Sequence, residues 1–420
     1  MADLLPKYYT KTLKNGLEVV VIPMRNNSDV ITTDIFYKVG SRNEMMGKSG
    51  IAHMLEHLNF KSTKHLKAGE FDEIIKGFGG VNNASTGFDY TQYFITSSSK
   101  NLSKSLELFA ELMQNLNLKD EEFQPERDVV LEERRWRTDN SPMGYLYFRL
   151  FNNLYLYHSY HWTPIGFVED IKHWTIEDIK NFHKTYYQPK NAVLIVAGDI
   201  DKDEVFKEAE DKFGKIENKV EKIPTPHQVE PKQDGQKRII IHKESQVQML
   251  AIAYHIPNFQ SEDQVALTAI SDILTSGKSS RLNSKLIDKK RLLNSISAYN
   301  MENKDPGVFL FLGVCNPGIN AEDVEKEIEE EIERLKTTLI SQKELEKVMI
   351  NAKADLIYQL ENSRNVVSIF GSYLARGDIK PLLEYENRFK KLTPKTIQEV
   401  AKKYFTKDNQ TILILKKDDK

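Results

Sequence analysis

One stretch of this chain occurs twice, and that repetition constrains the fold more than any other feature. Residues 175–187 (TIEDIKNFHKTYY) followed by 191–196 (NAVLIV) align without a gap on residues 393–405 (TPKTIQEVAKKYF) followed by 409–414 (NQTILI). In both copies Ile179/Ile397, Phe182/Val400 and Tyr186/Tyr404 recur at helical spacing before a turn leads into a β-rich apolar run. A helix-then-strand unit closing each half predicts two related domains. The length agrees, because 420 residues exceed the size at which a single hydrophobic core normally stops growing.

The break between the copies is visible in composition. Between Ile216 and Gln236, Pro224, Pro226, Pro231 and Gly235 stand among Glu, Lys, Gln and Asp, a mixture that favours extended, solvated backbone. The sequence therefore divides into a first domain over 1–215, a linker over 216–236 and a second domain over 237–420. In the first, Leu17–Pro23 and Val30–Val39 read as strands, and helical patterns follow near 49–60, 69–78, 101–117, 123–138 and 175–187. The second opens with strands near 238–242 and 247–255, runs through helices near 261–275 and 279–289 to strands near 294–300 and 307–314, and carries a charged helix near 320–337. Strands and helices that cluster without a regular βαβ alternation point to the α+β class.

With 59 Lys+Arg against 61 Asp+Glu, the formal charge is −2. The chain as a whole lacks the basic surplus that replaces counterions along a phosphate backbone, so nucleic acid is not an expected partner. An apolar content of 40% with 29% charged residues suits a globular protein. No run approaches the roughly 18 apolar residues of a spanning helix, and Met1-Ala2-Asp3-Leu4-Leu5-Pro6-Lys7 has no apolar leader. These features fit a cytoplasmic chain, and equally a periplasmic or secreted one whose signal peptide has been removed. Cys315 is the single cysteine, so an internal disulfide is impossible and any metal site must be built mainly from His and carboxylates.

The one dense cluster of such side chains is His53-Met54-Leu55-Glu56-His57. On a helix, His53 and His57 are four apart and project from one face, with Glu56 on its flank. Two imidazoles can then meet one metal while a carboxylate is held beside it, in the inverted zinc-peptidase order H-x-x-E-H. A catalytic zinc commonly takes three protein ligands and leaves a fourth position for water, so one ligand must come from elsewhere. The segment Pro125–Trp136 offers candidates on a helix, with Pro125 in the first turn, where a missing N–H is tolerated. Glu126 and Glu133 are seven apart and share a face with Val129 and Val130, while Glu132 is rotated by about 100°. Spacing does not choose between Glu126 and Glu133.

Together these residues resemble a known family. His53-x-x-Glu56-His57 with Glu126 and Glu133 downstream, the segment 79–86 (GGVNNAST) and the segment 161–166 (HWTPIG) are similar to the pitrilysin, insulysin and mitochondrial processing peptidase family of zinc peptidases, and the likeness runs over nearly the whole chain. It implies an α+β fold of two duplicated domains, each a mostly antiparallel sheet flanked by helices as in mitochondrial processing peptidase, with the metal site in the first copy only. It implies Zn2+ bound by His53, His57 and Glu133, with Glu56 as general base and Glu126 as a carboxylate orienting a ligand histidine. Asn83 and Ala84 would lie on an edge strand that receives an extended peptide.

The same resemblance implies short or unfolded peptides as substrates, cut in a chamber formed by paired subunits, either a homodimer or a heterodimer with a related chain. One departure stands out. Active members usually carry an Arg and a Tyr seven residues apart in the second half, and the matching positions here are Ile287 and Asn294. An isoleucine offers neither donor nor charge, and an asparagine is a shorter, weaker donor. Arg281, Arg291 and Tyr299 lie nearby but off the pattern, and read as helix-surface and strand residues. That departure implies an alternative: a non-catalytic or partly catalytic assembly subunit needing an Arg/Tyr-bearing partner.

Overall fold

The computed structural model describes residues 4–24 and 28–417; residues 1–3, 25–27 and 418–420 lie outside it, including the start of the stretch read for a leader. The chain forms two compact units. The first comprises residues up to 133 with 162–228 and 356–379, and the second comprises 134–161, 229–355 and 380 onward. A single cut in the 216–236 linker therefore does not separate them.

The first unit is built on six strands: β1 (Tyr9–Thr12), β2 (Glu18–Pro23), β3 (Val30–Tyr37), β4 (Val81–Thr86), β5 (Thr91–Ser98) and β6 (Ala192–Gly198), in the order β1-β2-β6-β3-β5-β4. All neighbours are antiparallel except β2 and β6. The second unit has five: β7 (Lys237–Lys243), β8 (Met249–His255), β9 (Leu293–Met301), β10 (Val308–Cys315) and β11 (Gln410–Lys417), in the order β7-β11-β8-β10-β9, with β7 and β11 the parallel pair. Leaving β1 aside, the two orders correspond strand for strand, parallel pair to parallel pair. Each unit is α+β.

The repeated sequence has a physical explanation in both places. Thr175 and Thr393 are N-caps whose side chains accept from Asp178 N and Thr396 N. The paired Tyr and Asn meet at the other end, where Asn191 Nδ2 donates to Tyr186 O (2.9 Å) and Asn409 Nδ2 donates to Tyr404 O (2.8 Å). Each asparagine satisfies a carbonyl that the end of the helix leaves open, and so sets the direction of the strand that follows.

Both sheets are covered on both faces, which is why β6 is buried along its whole length and reads as one apolar run. In the first unit Ile31, Ile35, Tyr93, Ile95, Leu194 and Val196 face a core completed by helices Ile51–Leu58, Leu102–Asn115, Ile176–Tyr186 and Lys202–Phe213. The opposite face carries Thr32, Asp34 and Phe36 and is covered by helix Ser363–Arg376, which comes from the far end of the sequence. Thr32 and Ser363 hydroxyls meet at 2.9 Å. Gly371 lies so close to the Phe36 ring that a Cβ would fall 2.1 Å from it, so any side chain there must displace the ring. The second unit does the reverse: helix Pro142–Leu154, from the first half of the sequence, packs on β7, β8 and β11. Each sheet thus borrows one covering helix from the other half of the chain.

Two expected helices are wound differently. The helix expected over 123–138 is α-helical over Asp120–Arg134 and continues as a π turn over Arg135–Asp139, and the one expected over 279–289 is a π turn over Asn283–Lys289. No helix among the described residues is long and apolar enough to cross a membrane.

Candidate active site

Helix Ile51–Leu58 buries Ile51, Ala52, Met54, Leu55 and Leu58 in the core and leaves His53, Glu56 and His57 half-buried along one side. The two imidazoles lie edge to face, 4.7 Å between ring centroids. Helix Asp120–Arg134 supplies the rest. Phe123 and Val130 are buried and fix its inward face, and Glu126 and Glu133 flank them towards the histidines. Val129 does not share that face, contrary to the expectation from spacing: it is 50% exposed, because it lies about 100° round the helix from Val130, beyond Glu133.

The two glutamates that sequence spacing left open occupy different positions. Glu133 Oε2 lies between the histidines, 3.3 Å from His57 Nε2 and 3.6 Å from His53 Nε2. Glu126 sits behind, with Oε1 accepting from His57 Nδ1 at 2.8 Å and Oε2 paired with Lys61 Nζ at 2.5 Å. Burial works against a charge on His57, but the Glu126 and Glu133 carboxylates outweigh it and hold the imidazole up at about 9. Burial likewise works against the charge on Glu126, and His57 and Lys61 outweigh it, so its carboxyl is held below the usual range.

One ligand-type atom from each of His53, His57 and Glu133 falls within a sphere where all lie within 4.8 Å of one another. Two imidazole nitrogens and one carboxylate oxygen are the donor set of a catalytic zinc with one position left open. His57 is already oriented for it: its Nδ1 is committed to Glu126, which leaves Nε2 facing Glu133. The donor set fits zinc.

Glu56 is held by a residue that sequence reasoning missed. Thr86, the last residue of β4, donates its hydroxyl to Glu56 Oε2 at 2.5 Å. Its position three residues after Asn83 on the same strand was the available signal. Among the described residues β4 has one strand neighbour, β5, and so forms an edge of the sheet. Alternation along β4 puts Ala84 and Thr86 on the half-buried face, Ala84 against the core, while Asn83 is exposed on the other face. Asn83 Oδ1 accepts from the Ala84 backbone N–H at 2.9 Å.

The far end of the metal-site helix is fixed as well. Asn59 Nδ2 donates to Leu55 O (2.7 Å) and to the buried Tyr93 hydroxyl (2.8 Å), which in turn meets the Tyr187 hydroxyl at 3.3 Å. In the second unit, Ile287 packs against the core and Asn294 is exposed on β9. Arg281 is engaged by Glu344 through Nε (2.8 Å) and Nη2 (3.0 Å), which accords with its reading as a structural residue. Tyr299 is 48% exposed on β9, and Arg291 is exposed with a left-handed backbone, φ 51°.

Known proteins resemble this chain along most of its length. Residues 19–147 match the family described as Insulinase (Peptidase family M16), and residues 173–351 match the one described as Peptidase M16 inactive domain. The chain is 55% identical to the zinc protease PqqE of Helicobacter pylori over 414 residues, covering 98% of this chain and 93% of that protein. A crystal structure of a protease from Helicobacter pylori superimposes with a TM-score of 0.97 at 55% identity, covering 98% of this chain and all of that one (100%). A mitochondrial-processing peptidase subunit beta from Arabidopsis thaliana, described as probable, is 26% identical and covers 95% of this chain and 76% of its own length.

Proposed function

Because this chain belongs to peptidase family M16 and is 55% identical to a protein named as a zinc protease, we propose that it is a zinc endopeptidase acting on short or unfolded peptides. The observation that carries the reading is the convergence of His53, His57 and Glu133, with Glu56 held beside them by Thr86. Zinc bound by His53, His57 and Glu133 would polarise a peptide carbonyl and bring the pKa of a water towards roughly 7.

The remaining work falls to the chain's own groups. Glu56, with Oε2 anchored on Thr86, takes the proton of the attacking water and returns it to the departing amine. Glu126 keeps the His57 ring in one orientation, and Lys61 keeps Glu126 charged. The open edge of β4 accepts an extended peptide as an added strand, with Asn83 and Ala84 supplying amide and backbone groups. A chain bound through its backbone must be unfolded over several residues, which favours short or unstructured substrates.

A second reading is supported by Ile287 and Asn294, which leave the second unit without the donor and charge expected there, and by the relative that is itself one subunit of a processing peptidase. In this reading the chain is the metal-bearing member of a pair whose partner, a related chain, completes the chemistry. Glu56→Gln is the test of the first reading: it should retain one zinc per chain and abolish peptide cleavage. A wild-type protein that binds no zinc, or a variant that cleaves as fast as wild type, would remove the mechanism. Full activity of the purified chain as a homodimer, unchanged by a related chain, would dismiss the pairing.

A further inference from the structure

Glu44 is 3% exposed, no cation pairs with it among the described residues, and it takes no part in the chemistry above. Its carboxylate is nevertheless fully engaged. Oε2 accepts from Gly50 N at 2.8 Å and from the Trp162 indole at 2.7 Å, and Oε1 accepts from Ala52 N at 2.8 Å. Gly50 is the N-cap of helix Ile51–Leu58 and Ala52 immediately precedes His53. That helix has no side-chain cap of its own, because its N-cap is a glycine at φ 85°. Glu44 supplies the missing acceptor from six residues upstream; burial pushes its carboxyl up to about 8 against the pull of the three N–H donors, so what it offers the helix start is hydrogen bonds rather than net charge.

The segment 161–166, whose role in the site was open, is what fixes Glu44 in place. Trp162 reaches Glu44 directly. Further along, Gly166 runs so close to the helix start that a Cβ on it would fall 2.5 Å from Ser49 O, and a Cβ on Gly50 would fall 2.7 Å from Ile165 O. Ser49 is tied in as well: its hydroxyl donates to Asp170 Oδ2 at 2.5 Å and accepts from Phe167 N at 2.9 Å, and its carbonyl accepts from the Trp174 indole at 3.2 Å. The start of an eight-residue helix is thereby seated in a preformed socket. In so short a helix the open N–H groups at the start are a large share of all the backbone bonds, so the socket governs where the helix lies along its axis and how it is turned. A turn of one residue, about 100°, would carry His53 and His57 off Glu133.

We propose that Glu44, locked by Trp162, is the positioning residue of the metal site: it sets the axial place and rotation of the helix that presents His53, Glu56 and His57. The inference rests on the zinc reading. A carboxylate is needed because both oxygens accept. A glutamine offers one acceptor and turns an NH2 group towards an N–H that needs one.

Glu44→Gln and Trp162→Phe are compared with wild type for zinc dissociation constant, by competition with a chelator, and for kcat, KM and thermal midpoint. Glu44→Gln is expected to weaken zinc roughly tenfold or more, the scale on which groups behind metal ligands matter. At saturating zinc its kcat falls by a similar factor, with KM within about twofold of wild type. Trp162→Phe, which removes one donor and leaves the carboxylate, moves both quantities in the same direction by a smaller factor. Zinc affinity and kcat within about twofold of wild type in a folded Glu44→Gln protein would overturn the proposal, as would a lowered thermal midpoint with no change in either. If Glu44→Gln fails to fold, Trp162→Phe decides, and wild-type zinc affinity and kcat in that variant overturn it. A wild-type protein without zinc affinity would instead sink the peptidase reading, a separate outcome.

Discussion

His183 makes the first unit sensitive to acid. It lies on helix Ile176–Tyr186, is 4% exposed, stacks near Tyr187 with ring centroids 5.4 Å apart, and its Nε2 meets no hydrogen-bond partner. Burial, with the nearby Lys219 ammonium, pushes its pKa down to about 3, whereas in the unfolded chain it titrates near 6.5. The unfolded state therefore takes up a proton below about 6.5 that the folded state refuses until about 3, and stability falls as pH drops through that window. Each pH unit across which only the unfolded state holds the proton costs about 1.4 kcal/mol, so the full window represents about 5 kcal/mol and the part between pH 7.5 and 5 about 2 kcal/mol. The helix packs on the metal-site helix, and Tyr187, next beyond its end, meets Tyr93, so the same proton loosens the support of the site. Urea unfolding followed by the fluorescence of Trp162 and Trp174, both buried in this unit, should show a change in stability between pH 7.5 and 5 that is about 2 kcal/mol less unfavourable in His183→Gln than in wild type, His57 contributing equally to both. Parallel stability–pH curves for the two proteins between pH 7.5 and 5 would refute the reasoning.

Two further perturbations test other parts of the account. Glu126→Gln should weaken zinc binding by about 10- to 100-fold in a chelator competition, since it removes the charge that holds the His57 ring and partners Lys61; unchanged affinity would mean that Glu126 does not act through His57. Gly371→Ala should destabilise the first unit by about 1–3 kcal/mol in urea, because the new methyl overlaps the Phe36 ring, and adding Phe36→Leu should recover much of that loss. A neutral Gly371→Ala would mean that helix Ser363–Arg376 does not lie on β3 as described.

The helix that carries His53 and His57 and the duplication could be read from sequence because both are carried by local spacing. His53 and His57 are neighbours on any helix containing them, and the Thr, Tyr and Asn of each repeat are a cap, a last turn and a carbonyl partner that work within a few residues of one another. What depends on distant partners could not. Helices Pro142–Leu154 and Ser363–Arg376 carry no local mark of the sheet they will cover, and the second was invisible as part of the first unit until Thr32 and Phe36 were seen beneath it. Glu44 caps a helix from six residues away, outside the three-residue spacing of a capping box, so nothing in its neighbourhood announces the role. Val129 against Val130 is a matter of how the helix is turned on the core, a property of the packing and not of the seven-residue interval.

The exchange of helices also sets an order in time. His53, Glu56 and His57 are synthesised well before the helix that closes the far face of their sheet, which ends at Arg376. At synthesis rates of about 5–20 residues per second, the stretch from Gly198 to Arg376 takes on the order of ten to forty seconds. During that interval Thr32, Asp34 and Phe36 lie on a sheet face still waiting for its cover. A nascent chain truncated between Gly198 and Ser363 would carry every candidate zinc ligand on an unfinished sheet. Completion of the unit that carries the candidate zinc ligands thus waits for the synthesis of helix Ser363–Arg376.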